Sequence, residues 1–311
     1  MNSKPLISIW MITYNHEKYI GEAIDSILEQ KTDFEYEIVI GEDCSTDGTR
    51  AILLEYKEKF PDKFKLLLHD ENVGIVENML QTFQACNGEY VAMLEGDDYW
   101  NDPTKLQKQV DFLRENPEYI VCYHNIEHIT SKGQFLKDGG YSKDYDSDTM
   151  KVGRAEMQTS CCVYRNFGLE FPEYFKDAYL FDPFLVHQAG FHGKAKFMDT
   201  IQASKYRIHT DGLWSGIKAL KRLMISVMTK RRLHRNLDGN MRLQKKIDEV
   251  IKNQYIESLF VFLRDGPFSA YIGLWKEIWN DNEINSMKIF VLHQQDSVGR
   301  VLHKLKKVKK R

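Results

Sequence analysis

Cysteine is scarce and unpatterned. The five in 311 residues (Cys44, Cys86, Cys122, Cys161, Cys162) form no CxxC pair, and no histidine stands at zinc-ligand spacing. That excludes a disulfide framework or a structural zinc site as the organising feature and fits a reducing compartment. Proline is also sparse at 7, while 42% hydrophobic and 28% charged residues are ordinary for a folded chain, which excludes disordered and fibrous classes. No apolar run reaches the ~18 residues a bilayer-spanning helix needs. The N-terminus meets an apolar run by Leu6 without a charged region followed by a long apolar one, so the expectation is a cytoplasmic protein that is not secreted. No GxGxxG follows the first apolar run, against a dinucleotide oxidoreductase. A general basic character is missing too. The formal net charge is -2, yet residues 216–235 and 297–311 each hold seven Lys/Arg and no acid, leaving the remainder at about -16. An acidic body argues against a nucleic-acid partner, whose binding face would be basic.

What is present is an alternation of two periodicities. Leu6–Ile12 is a short apolar run; Ile20, Ala23, Ile24, Ile27 and Leu28 then recur on one helical face. The unit repeats as Tyr36–Ile40 with Thr49–Phe60, Phe64–Leu68 with Ile75–Ala85, and Tyr90–Leu94 with Leu106–Leu113. Such alternation predicts an α/β fold, a mostly parallel sheet flanked by helices, because parallel strands need crossovers long enough to hold a helix. Residues 126–157 are polar and rich in Gly, Ser and Asp, and read as a long loop or irregular insertion. Thr159–Tyr164 reads as a strand, Pro183–Ala189 as a short helix and Lys196–Tyr206 as one or two strands. Beyond Ser215 the pattern is helical, predicting two domains, 1–215 and 216–311.

Ligands of such sheets sit at the carboxyl ends of the strands. There the chain places Thr13-Tyr14-Asn15-His16, Glu42-Asp43-Cys44-Ser45, and Glu95-Gly96-Asp97-Asp98. Crowded carboxylates repel one another, so a cluster of this kind implies either a compensating cation or an ordinary acidic turn in which Asp98 or Asp102 caps the next helix. Oxygen ligands favour a hard divalent ion, Mg2+ or Mn2+, able to bridge phosphate oxygens. For Asp47 an Asx turn before the helix near Thr49 is the simpler role.

Taken together, these three strand ends resemble the family-two glycosyltransferases of GT-A fold, the Rossmann-like architecture also termed spore-coat-polysaccharide-synthase-like, over residues 6–215. The resemblance implies an inverting, metal-assisted hexosyltransferase drawing on a nucleotide-sugar donor, UDP-linked by preference with dTDP and GDP open. It implies base and ribose contacts from Thr13, Tyr14, Asn15 and Asp43, and a metal motif at Glu95-Gly96-Asp97 with Asp97 the ligand. Glu95 departs from the family's usual Asp. Later in the chain, Asp182 occupies the place of the family's general base, although Phe181-Asp182-Pro183 stands where the family has Gly-Asp-Trp. Arg207 and His209 lie in a Tyr-Arg-x-His segment that resembles the family's diphosphate-contacting element, His209 being a second metal ligand. Asn72-Val73-Gly74 resembles the Asn-x-Gly after strand three, where glycine permits a positive backbone angle.

Two other readings compete. A sugar-nucleotide pyrophosphorylase would need a Gly-rich, Arg-containing loop after the first strand, which Thr13-Tyr14-Asn15-His16-Glu17 is not. A non-catalytic nucleotide-binding scaffold would have no use for Asp97 and Asp182. The C-terminal extension carries Ile217, Leu220, Leu223, Met224, Val227 and Met228 as an apolar stripe among seven basic residues. The stripe is read either as peripheral attachment to an anionic membrane, on the inner face of the cell membrane, or as a solvated packed helix. Expected partners are the donor, a saccharide or lipid-linked saccharide acceptor, and that membrane surface.

Overall fold

The computed structural model describes residues 5–168, 180–209, 217–264 and 268–280. The chain divides into two compact units, Met1–Gly216 and Ile217–Arg311. In the first, β1 (Ile7–Thr13), α1 (Ile20–Leu28), β2 (Tyr36–Glu42), α2 (Thr49–Lys59), β3 (Phe64–Leu68), α3 (Ile75–Gln84), β4 (Tyr90–Met93) and α4 (Lys105–Glu115) follow one another. β5 (Tyr119–Tyr123), β6 (Ile126–Thr130), β7 (Phe135–Asp138), α5 (Ser147–Lys151), a 3-10 turn (Thr159–Cys161), β8 (Val163–Arg165), α6 (Asp182–Ala189), β9 (Lys194–Phe197) and β10 (Ser204–Ile208) complete it.

Seven strands form one sheet in the order β3-β2-β1-β4-β8-β5-β9. All neighbours run parallel except β8, which is antiparallel to both β4 and β5. Every residue of β1 is buried because helices cover both faces, the reason its sequence is apolar without alternation. Ile20, Ala23, Ile24 and Ile27 of α1 pack on one face. On Trp10 of β1 lie Phe83 and Phe181, at ring distances of 5.1 and 5.3 Å.

Three strands form a second sheet, β10-β6-β7. An antiparallel bridge between Tyr99 and Lys205 (N to O distances of 3.2 and 2.8 Å) pins its β10 beside the loop after β4. Residues 126–157, expected as irregular, thus hold two strands and α5. They are polar because β7 is an exposed edge strand, so half-burial is not written into the sequence. The strand expected at Thr159–Tyr164 is a 3-10 turn followed by a short strand.

The second unit comprises α7 (Ala219–Asn236), α8 (Met241–Arg264) and α9 (Phe268–Asn280). Of the apolar stripe read either as a membrane-facing surface or as the buried side of a packed helix, Ile217, Leu223 and Val227 are buried, Leu220 and Met224 half-buried, and only Met228 is exposed. Most of that stripe is therefore covered rather than presented to a surface. The basic run at 297–311, Tyr179 and the segment 210–215 lie outside the described residues. Among those described, no helix is long and apolar enough to cross a membrane.

Candidate active site

Three strand ends and β10 converge. At the end of β1, Asn15 adopts a left-handed backbone (φ 56°), tolerable for Asn. Its amide N–H donates to Ser45 Oγ at 2.9 Å and its side-chain oxygen accepts from Thr46 N–H at 2.8 Å, lashing the first loop to the second. Tyr14 is left 42% exposed beside it. Asp47 accepts from the N–H groups of Thr49 (3.0 Å) and Glu17 (3.1 Å), the turn role expected of it.

Asp43 follows β2, its N–H bonded to Thr13 carbonyl at 3.1 Å. Its carboxylate accepts from the N–H groups of Val73 (2.7 Å) and Gly74 (3.1 Å), and Asn72 donates to its carbonyl at 3.2 Å. The Asn72-Val73-Gly74 loop is thus folded onto Asp43. Gly74 at φ 86° meets the requirement for a residue without Cβ.

Beyond β4, Asp97 is paired with His209, Oδ2 to Nε2 at 2.9 Å, and His16 Nε2 stands 3.9 Å from the same oxygen. Burial works to raise the Asp97 carboxyl, but the His209 hydrogen bond and the fields of both histidines prevail and hold it below the usual range. His16 goes down, chiefly because it is buried. Glu95 behaves oppositely. Burial, reinforced by the charge of Asp182, pushes it to about 8 despite the hydrogen bond from Thr159 Oγ1 at 2.7 Å. Asp98, raised chiefly by burial, accepts from the Arg207 backbone N–H at 2.9 Å.

Asp182 opens α6, with Pro183 in its first turn. Phe181 stands at the N-cap position, so Asp182, the first residue of the helix, does not serve as the cap; its carboxylate is met by its own backbone N–H. Burial raises it to about 6, and it lies near enough for its charge to act on Glu95, Tyr164 and Tyr206.

Arg207 is turned from the carboxylate of Asp97. Nε donates to the Asp97 carbonyl at 3.0 Å, the terminal nitrogens reach the carbonyls of Thr130 and Ser131 and the carboxylate of Glu22, and the guanidinium lies 4.7 Å from the Tyr19 ring centre. With its donors occupied by protein acceptors, Arg207 holds the acidic loop in place. The diphosphate fork expected of it is not formed by this side-chain placement.

The donor set was tested against a divalent cation. Among the described residues, no group of three or more His, Cys, Asp or Glu side chains could hold one alone. Asp97 and His209 fit as an anionic oxygen and an imidazole at a shared point, and Glu95 Oε2, Thr13 Oγ1 and His16 Nδ1 are buried nearby without a hydrogen bond. That suits a Mg2+ or Mn2+ ion drawing its other ligands from phosphate and water. Gly96 has to be glycine here, since a Cβ would come within 2.9 Å of His16 Nδ1, Ile20 Cδ1 and Thr13 Oγ1.

Thr13, Asp43, Glu95, Asp97, Asp182 and His209 thus lie together at one end of the sheet. Reading the sequence missed His16, although it directly follows the Thr-Tyr-Asn segment, and missed Thr159 and Glu22, whose roles depend on contacts across many residues.

A mostly parallel sheet with an acidic tip near a separate half-buried carboxylate defines a GT-A type protein. The pattern of Glycosyl transferase family 2 matches residues 8–170, and the chain belongs to that family. Among its relatives are an uncharacterized protein of Mycobacterium tuberculosis, 35% identical over 213 residues that make up 67% of this chain and 60% of that protein. Another is an uncharacterized glycosyltransferase of Nostoc sp., 32% identical over 217 residues, 65% of each. The chain thus spans about 60% of the length of the first of these relatives. In fold it is similar to S. aureus TarS in complex with UDP-GlcNAc, with a TM-score of 0.62 and 17% identity over 87% of this chain and 80% of that one. It is also similar to the mannosyltransferase PcManGT from Pyrobaculum calidifontis in complex with GDP-Man and Mn2+, with a TM-score of 0.58 and 14% identity over 96% and 81%.

Proposed function

We propose that the chain is an inverting glycosyltransferase that moves a hexosyl group from a nucleotide-diphosphate sugar to a hydroxyl of a saccharide or lipid-linked saccharide. The observation that carries the reading is the sorting of carboxylates at one sheet end: Asp97 held anionic by His209, and Asp182 half-buried apart from it with its acidity weakened to about 6. Thr13, Tyr14, Asn15 and Asp43 hold the base and ribose, with Asp43 itself fixed by the loop amides of Val73 and Gly74. A solved structure of similar fold contains UDP-GlcNAc and another GDP-Man with Mn2+; a UDP-sugar is the favoured donor, with dTDP and GDP next.

When bound, Mg2+ or Mn2+ supplies positive charge for the leaving diphosphate, with Asp97 and His209 as its protein ligands. Arg207 keeps the Asp97 backbone in place, and Gly96 leaves room for His16 to pack against the loop. Asp182, ionised at neutral pH yet poorly solvated, takes the acceptor's proton as that oxygen attacks the anomeric carbon opposite the leaving group. A single displacement of this kind inverts the centre.

The test is a thermal-shift screen of nucleoside diphosphates with and without Mn2+, since a ligand selective for the folded state raises the melting temperature, followed by a transfer assay on Asp182→Asn. The expected result is a metal-dependent shift with one nucleotide, and a variant that binds it but transfers nothing. A screen without any response, or transfer by the variant, overturns the proposal.

A further inference from the structure

A polar cleft of about 460 Å³ opens beside the site, within the size range of small-ligand sites. Lys18, Tyr19 and Glu22 line it from α1 and the turn before it, Ser131 and Lys132 from the β6–β7 turn, and Arg207 from β10 forms its floor. Three cations thus face one carboxylate in a unit that holds 22 Lys/Arg against 36 Asp/Glu in all. Glu22 is already occupied by Arg207. Lys18 and Lys132 are exposed and have no ion-pair partner among the described residues.

The walls are built in advance. Thr130 Oγ1 accepts from the N–H groups of Lys132 (3.2 Å) and Gln134 (3.1 Å), and Gly133 at φ 78° closes the turn. Arg207 fastens that turn through the Thr130 and Ser131 carbonyls, at 3.4 and 3.3 Å. The same guanidinium holds the Asp97 carbonyl, whereas His209 and His16 stand at the Asp97 carboxylate. Cleft and candidate metal ligands therefore meet at Asp97, through its carbonyl and its carboxylate, with the Tyr19 ring 4.7 Å from Arg207 and 5.2 Å from His209. A group seated in the cleft is close to the candidate metal ligands.

We infer that this cleft is an oxyanion subsite for the acceptor, taking the phosphate or carboxylate of a charged glycan, with Lys18 and Lys132 as its contact residues. The inference rests on the glycosyl-transfer reading and narrows its acceptor to an acidic one. Lysine ammonium groups act as point charges without the planar fork that selects one oxyanion geometry, so phosphate and carboxylate share the chemistry.

The full chain, saturated with UDP and Mn2+ to fill the donor site, is titrated calorimetrically with glucose 6-phosphate, glucuronate and glucose. At least one charged sugar binds tenfold or more tightly than glucose, identifying a phosphorylated or a uronate-bearing acceptor by which one it is. The Lys18→Gln/Lys132→Gln chain loses that preference while keeping its melting temperature and its UDP affinity, and Lys18→Arg/Lys132→Arg retains it. Equal binding of all three sugars, or an undiminished preference in the Gln variant, overturns the subsite. Absence of binding by UDP, dTDP and GDP alike, with a lysine-dependent preference intact, overturns the glycosyl-transfer reading instead and leaves an anion site standing.

Discussion

Glu95, Asp97 and Asp182 carry the same functional group and differ only in what touches them. Asp97 has two imidazoles, Glu95 has one hydroxyl and a neighbouring negative charge, and Asp182 has desolvation opposed only by its own backbone N–H. A reader of the sequence sees three acids at strand and helix ends and can rank them only by resemblance, because the sorting comes from residues 64 to 112 positions away. For Asp182 the sign can be worked out. An unfolded chain releases this proton near 3.8 and the folded one near 6. Ionised Asp182 therefore weighs against folding above about pH 6 and not at all below about pH 4. Asp182→Asn should stabilise the protein at pH 8 by about 1–2 kcal/mol, less than the full shift implies because the side chain is only half-buried, and differential scanning calorimetry at pH 8 and pH 4 reads the difference. The same ionisation makes log kcat fall with unit slope below about pH 6, a limb measurable in a pH profile at saturating donor. Gly96→Ala puts a Cβ into His16, Ile20 and Thr13; it should weaken UDP binding about tenfold and cost about 1–3 kcal/mol, both visible in one nucleotide titration followed by melting.

Helix α4 shows what a periodic pattern leaves out. Its apolar face, Leu106, Val110 and Leu113, is legible, and the four strand-helix units of residues 7–115 follow from such faces. Lys105 is not legible. A lysine at a helix start reads as solvated, yet its side chain is wholly buried, lies 4.1 Å from the Trp100 ring centre and makes no hydrogen bond. Burial lowers it to about 8. The unfolded chain holds this proton to 10.5, so the burden on folding is complete below about pH 8 and fades as pH rises toward 10.5. Lys105→Met, similar in length and apolar, should therefore raise stability at pH 7 by about 1–3 kcal/mol, the Trp100 ring offsetting part of the cost of the buried charge. Urea melts at pH 7 and pH 10 test this, because the gain has to shrink at the higher pH. Strands β5 to β7 and α5 were illegible for a related reason. β7 is exposed along its length and β5 pairs with β8 and β9 from much later in the chain, so neither local period nor adjacency marks them.

Across the whole molecule the charge is divided as the fold is. Residues 1–216 carry 22 Lys/Arg against 36 Asp/Glu, and residues 217–311 carry 21 against 9. An acidic unit would be repelled by an anionic membrane, and a basic one attracted with about 1 kcal/mol per basic residue close to the surface. The burial of Ile217, Leu223 and Val227 removes much of the apolar stripe that the sequence offered for insertion. What remains outward is the basic charge with scattered apolar side chains, Met228, Met241, Val261, Leu263, Ile272 and Trp279 among them. Attachment through such a surface is mainly electrostatic and has to be screened by salt, whereas an inserted apolar face would not be. Full-length protein should float with vesicles containing phosphatidylglycerol at 50 mM salt and detach at about 500 mM, where the screening length falls to roughly 4 Å. A chain ending at Ser215 should stay behind at either concentration. Flotation that persists at high salt would assign the contact to apolar residues, and flotation of the shortened chain would move it to the first unit.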